Sequence, residues 1–302
     1  MYKIKSIIYL GFLALLVLSG CTKMETIDVH ENLNISGNVA TDYSGITTNQ
    51  IRVYVNKLYI DLTGGEPSEA VLDEKVSIFE NANLSMGVRD SLIDELSNSK
   101  DFFANVYTTN AGLMLNGSNK QDILDYIQLY QDIAANYFLA GDSTNAEFIM
   151  NEIPKLDTLY MADSLYAAGI FNLNRFFRCL ALNPIYDEVN MGSENFVVET
   201  FRNYMGRYPT NDELSQSVLM VDGGSSYIFL QAGESKPDFL DIMVYDPEFY
   251  QGRVIQAFIT FLVRPPTSEE VNDLSIPLYN TGELQPLYKS IMRTDEYAGF
   301  NF

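Results

Sequence analysis

The side chains able to do chemistry in this sequence are few in kind. It holds two thiols, Cys21 and Cys179, and a single imidazole, His30. One histidine excludes every mechanism that needs a histidine pair, and a Ser-His-Asp relay would have to recruit His30 from a polar stretch near the N-terminus. No Cys-x-x-Cys-His occurs, which excludes covalent haem attachment. Cys179 lies in the apolar run Phe176-Phe177-Arg178-Cys179-Leu180 and reads as a small buried hydrophobe rather than a nucleophile. Carboxylates, tyrosines and lysines remain as possible catalysts. Asp61 and Glu66 flank Gly64-Gly65, and Asp222-Gly223-Gly224-Ser225-Ser226 forms a polar loop. Either could hold a cation or a sugar. A calcium loop, however, needs several oxygens at tight spacing, and a phosphate loop needs Gly-x-x-x-x-Gly-Lys after a strand. Both stretches are therefore expected to be solvated turns, and no catalytic residue, metal or cofactor is assigned.

The remaining thiol, Cys21, is different because of what precedes it. Lys3 and Lys5 give a positive start, Ile7 to Leu18 is apolar apart from Tyr9 and Gly11, and Leu18-Ser19-Gly20-Cys21 follows. An apolar run this short, ending in small residues, is expected to be an export signal over residues 1–20 rather than a spanning helix. The ending resembles the bacterial lipobox. That resemblance implies cleavage before Cys21, a diacylglyceryl thioether on its sulfur and an acylated amine; the alternative is an ordinary secretory signal beside a chance cysteine. Each buried acyl CH₂ contributes about 0.8 kcal/mol, so three chains would anchor the protein nearly permanently. Thr22, not Asp, follows the cysteine, which favours the outer membrane. Lys23, Glu25 and Asp28 resemble the charged export signals of surface lipoproteins in Bacteroidetes-type bacteria.

The net charge is −21 over 302 residues, with 47% hydrophobic residues. Such an acidic chain can fold but repels nucleic acid and anionic headgroups, so membrane contact is expected from the lipid alone. The chain has 20 Tyr, 18 Phe and no Trp. Tyrosine can bind sugars or proteins, but it also fills helical cores with its hydroxyl at the edge, and the core reading is preferred.

Residues 21–49 are polar and weakly periodic, and are expected to form a flexible tether in which Ile35, Val39 and Ile46 could dock locally. From about Gln50 the apolar spacing becomes three and four. It runs through Val53, Leu58 and Leu62, then Val88, Leu92, Ile93 and Leu96, then Ile123, Ile127, Tyr130, Ala134 and Tyr137. It resumes at Phe176 and Leu180, at Val197, Phe201 and Met205, at Val254, Phe258 and Leu262, and at Leu284, Leu287 and Ile291. These are core-facing helical stripes. No alternating strand pattern is evident. An all-α class follows, with helical hairpin repeats forming one elongated or two packed domains, divided as 50–190 and 191–302.

One motif recurs three times: an apolar helix, a turn with proline, Ser or Thr, then an aliphatic residue five positions past the proline. The copies are Gly65-Glu66-Pro67-Ser68 with Leu72, Arg207-Tyr208-Pro209-Thr210 with Leu214, and Arg264-Pro265-Pro266-Thr267 with Val271. Each is followed later by a polar residue three before an aromatic: Ser99 with Phe102, Asp246 with Phe249, Thr294 with Tyr297. Proline ends one helix, and Ser68, Thr210 or Thr267 caps the next. Thr210 with Glu213 and Thr267 with Glu270 are capping boxes, whereas Ser68 has Val71 in that place. Arg207 and Arg264 suit helix C-terminal ends. The later cap is expected to open a third, short helix, and residues 108–194 form a helical insert after the first copy. The stretch Leu58-Tyr59-Ile60-Asp61-Leu62-Thr63-Gly64-Gly65-Glu66-Pro67-Ser68 resembles the LYLDLTG-x-x-PT opening of helical domains in planctomycete-type envelope proteins, which often accompany cytochrome c domains. The later Arg-x-Pro-Thr copies look like the same unit. The resemblance covers the motif regions and carries no active-site residue.

The expected function is a non-enzymatic envelope lipoprotein that binds or scaffolds a protein or polysaccharide partner through a groove between hairpins. The alternatives are a glycan-binding surface lipoprotein using exposed tyrosines, and a hydrolase using two carboxylates.

Overall fold

Thr47 starts the first helix. Its side chain accepts from the Gln50 N–H while the Gln50 side chain accepts from the Thr47 N–H, and α1 (Thr48–Thr63) follows. Ile51, Tyr54, Val55, Leu58 and Leu62 form its buried stripe. The helix stops at Gly64, whose left-handed backbone (φ 76°) suits glycine. Pro67 and the Ser68 cap then turn the chain into α2 (Glu69–Asn81), which leads to α3 (Met86–Ser97) and, after the Ser99 cap, to α4 (Lys100–Met114).

The computed structural model describes residues 43–300. Cys21, the expected signal 1–20 and the tether up to residue 42 lie outside the described residues. Beyond α4 run α5 (Lys120–Leu139), α6 (Ser143–Met150), α7 (Ile153–Tyr160), α8 (Ala162–Ala167), α9 (Leu173–Ala181) and α10 (Pro184–Val189). The second copy comprises α11 (Ser193–Met205), α12 (Asn211–Val221), the strands β1 (Ser226–Ile228) and β2 (Gln231–Gly233), and α13 (Lys236–Tyr245). It shares α14 (Pro247–Leu262) with the third copy, which continues through α15 (Ser268–Thr281), α16 (Leu284–Met292) and α17 (Asp295–Ala298). The described chain is thus mostly helical, and one hydrophobic core runs through residues on both sides of position 190.

The structure corrects several sequence expectations. The segment after Asp222 is not simply a solvated turn: Ser226 pairs with Gly233, Tyr227 with Ala232 and Ile228 with Gln231 in an antiparallel hairpin. At the end of the tether Ile46 docks on the core as expected, joined by Tyr43, but the first helix already begins at Thr48, inside the expected tether. Val53 and Tyr137 fall outside the buried stripes and are exposed. The later cap opens a short helix only in the third copy; Ser99 and Asp246 open the long α4 and α14 instead, and a further helix (α3, α13 or α16) precedes each cap.

Candidate functional site

The three repeat caps occupy equivalent places. Ser68 Oγ accepts from the Val71 N–H, Thr210 Oγ1 from the Glu213 N–H and Thr267 Oγ1 from the Glu270 N–H. In the two later copies the capping glutamate also meets an arginine from the turn. Arg207 pairs with Glu213 (2.7 Å) and with Glu248; Arg264 pairs with Glu270 (2.7 Å) and with Glu296 (2.5 Å). In each, Nη1 also donates to the next carbonyl, Tyr208 or Pro265. One guanidinium therefore ties three helix ends together. Hydrogen bonds from these arginines hold the Glu213 and Glu270 carboxyls down at about 2. A helix-dipole reading of Arg207 and Arg264 missed this clamp. Its signal was present in the matched offsets of Glu213 and Glu270 from their prolines, and of Glu248 and Glu296 from the later caps. The first copy has Gly65 and Val71 at the corresponding places.

Asp61 belongs to a different junction, where α1 meets the third copy. Its carboxylate accepts from the Tyr297 hydroxyl (2.8 Å), its carbonyl from Asn105 Nδ2 (3.0 Å), and burial raises its carboxyl above the ordinary range. Nearby Lys57 lies over the Tyr297 ring and donates to the carbonyls of Phe261 and Tyr297, and burial lowers its ammonium. Glu66 is exposed in the turn. Asp222 accepts from the Ser193 hydroxyl. Cys179 is buried, its thiol donating to the Phe176 carbonyl, and burial pushes it up to about 12. A thiol held that high is a poor nucleophile.

At the same junction lies a cleft. Ile60 and Asp61 of α1 form one wall, Asn105, Thr109 and Asn110 of α4 another, and Arg253, Gln256 and Thr260 of α14 a third. A second cleft adjoins it, sharing Asn110, Leu113, Arg253 and Gln256, and continues to Asn203 and the Arg207-Tyr208 turn. Leu113 (62% exposed), Ile259 and Tyr208 stand exposed along this groove. The helix α14 is fixed against α11 by Gly252: a Cβ there would collide with the Tyr204 carbonyl oxygen and the Met205 Cα. That close approach sets the next residue, Arg253, beneath both clefts. Arg253 is only 6% exposed. Its Nη2 donates to the carbonyls of Asn203 and Tyr204, its guanidinium stacks on Phe177 and Phe249, and burial lowers it to about 10, so it is charged at neutral pH. Sequence reading assigned Arg253 no role, because an arginine inside a helix reads as a solvated charge.

No protein-family model, curated protein or solved structure matches this chain.

Proposed function

We propose that this protein is a lipid-anchored component of the bacterial outer membrane that binds a partner in the groove where its repeat copies meet, without catalysing a reaction. The anchor rests on the Leu18-Ser19-Gly20-Cys21 ending and its position after an apolar run. The binding role rests chiefly on the groove itself. It is built from α1, α4, α11 and α14, combines amide and hydroxyl groups with exposed Leu113 and Ile259, and has a rigid floor at Gly252. Clefts where elements converge, with apolar walls and a few placed polar groups, are the usual ligand sites. The two carboxylates in the lining of the groove are already engaged: Asp61 accepts from the Tyr297 hydroxyl and Glu199 pairs with Arg202. Exposed Tyr208 at the groove's edge favours a glycan as the second reading of the same surface.

A photo-crosslinking residue placed at Leu113 or Ile259 in native membranes should give discrete adducts that are absent from Leu124, an exposed site on α5. Identical patterns from all three positions would refute the cleft as the docking surface. Mass spectrometry of the mature N-terminus tests the anchor: acylated Cys21 is expected, and retention of residues 1–20 would overturn it.

A further inference from the structure

Arg253 is a buried charge with no carboxylate partner among the described residues. A buried cation costs several kcal/mol unless it is paired and fully hydrogen-bonded. Even the neighbouring arginines of the groove, which are far more exposed, have carboxylate partners, Arg202 in Glu199 and Arg207 in Glu213 and Glu248. Arg253 forms no ion pair among the described residues, and its Nε is buried with no hydrogen-bond partner. Among the described residues its only acceptors are two carbonyls at the end of α11, whose helix dipole supplies a partial negative charge of about half a unit. The aromatic rings of Phe177 and Phe249, 4.5 and 5.3 Å from the guanidinium carbon, add a further partial balance. The side chain borders both clefts, so the missing negative charge can arrive from outside.

We propose that the cleft binds a carboxylate carried on an apolar body, with Arg253 as its counter-charge. The inference rests on the cleft being the binding site. A carboxylate suits the guanidinium, which remains charged and presents N–H donors to it. Val106, Ala257, Phe261 and Leu284 line the same cleft and supply the apolar contact. A phosphate dianion fits less well, because Asp61 and Glu199 lie in the lining of the two clefts and the chain is strongly acidic.

The test uses the full chain in detergent with isotope-labelled arginine, following the Arg253 Nε–H resonance, which is assigned by its loss in Arg253→Lys. Phenylacetate should move this signal in a saturable way. Its neutral isostere phenylacetamide should bind at least tenfold more weakly, a difference of about 1.4 kcal/mol. Thr260→Phe, an exposed substitution in the cleft wall that leaves Arg253 in place, should abolish the phenylacetate response. The proposal is overturned if the signal does not move up to the solubility limit of phenylacetate, if acid and amide act alike, or if Thr260→Phe leaves the response intact. Adducts from Leu113 that persist while phenylacetate has no effect would reject the carboxylate and retain the cleft as a docking surface.

Discussion

Val263 ends α14 with φ 55°, in the left-handed region where the equivalent positions of the other copies carry Gly64 and Gly206 at 76° and 70°. A β-branched residue there costs about 1–2 kcal/mol in local sterics. It is 87% exposed, so little packing compensates. Val263→Gly should therefore stabilise the fold by about 0.5–1 kcal/mol, after allowing for the greater freedom glycine gives the unfolded chain. A melting temperature raised by about 2 °C is the expected reading, and a lowered one would contradict it. Leu230, fully exposed with φ 62° in the β1–β2 turn, should respond to glycine in the same direction. Gly252→Ala should do the opposite. The added methyl meets backbone atoms of Tyr204 and Met205 rather than a yielding side chain, and a loss of about 2 kcal/mol or more is expected in urea unfolding. The glycine stops at Gly64 and Gly206 suit what a sequence can announce. Val263 could not be recognised as the third stop, because valine rarely adopts that conformation.

At the scale of the elements, the arginine clamps decide how one hairpin is set on the next. Glu213 and Glu270 are held at about 2 in the folded protein, against about 4.3 in an unfolded chain. Their contribution is therefore present above the unfolded value and is lost as pH falls from about 4.5 towards 2. Both groups are partly solvated, so about 1 kcal/mol each is a reasonable discounted size. Thermal unfolding followed from pH 5 to pH 2 should show this loss. Arg207→Ala and Arg264→Ala should each flatten the profile and lower neutral-pH stability by about 1 kcal/mol; a profile of unchanged slope would mean that the clamps do not stabilise the fold. The elements themselves were largely legible, because the Thr210-to-Glu213 and Thr267-to-Glu270 boxes and the turn prolines act locally. The hairpin was not: its turn residues are Phe229 and Leu230, both at positive φ, where Asn-Gly would have been the usual sign. The cleft was not legible either, since it depends on α1, α4 and α14 meeting across some two hundred residues of chain, a distance over which local periodicity carries no information.

At the scale of the whole molecule, the first and third copies are joined directly, so the repeats do not stack as an open row. Tyr54 donates to the Met292 carbonyl (3.0 Å), Lys289 pairs with Asp94 and Arg293 with Asp90. Arg89 is fully buried beside the rings of Tyr43, Tyr54 and Phe300, and its Nη1 donates to Asp295 (2.8 Å) and to the Arg293 carbonyl (2.9 Å). In an open solenoid each unit answers only to its neighbours, and damage to one end stays there. A joined arrangement behaves differently, because opening the junction exposes α1, α16 and the floor of the cleft together. Asp295→Ala leaves Arg89 without its carboxylate and should cost about 2–3 kcal/mol, at the lower end for a broken buried pair because Asp295 is partly solvated. Hydrogen exchange tells the two cases apart. Protection should fall by the same amount in α1, in α14 and in the distant α12, as one cooperative unit requires. If α12 keeps its protection while α1 and α17 lose theirs, the junction is a local patch, and the Arg253 cleft is held by the close contact of α11 and α14 alone.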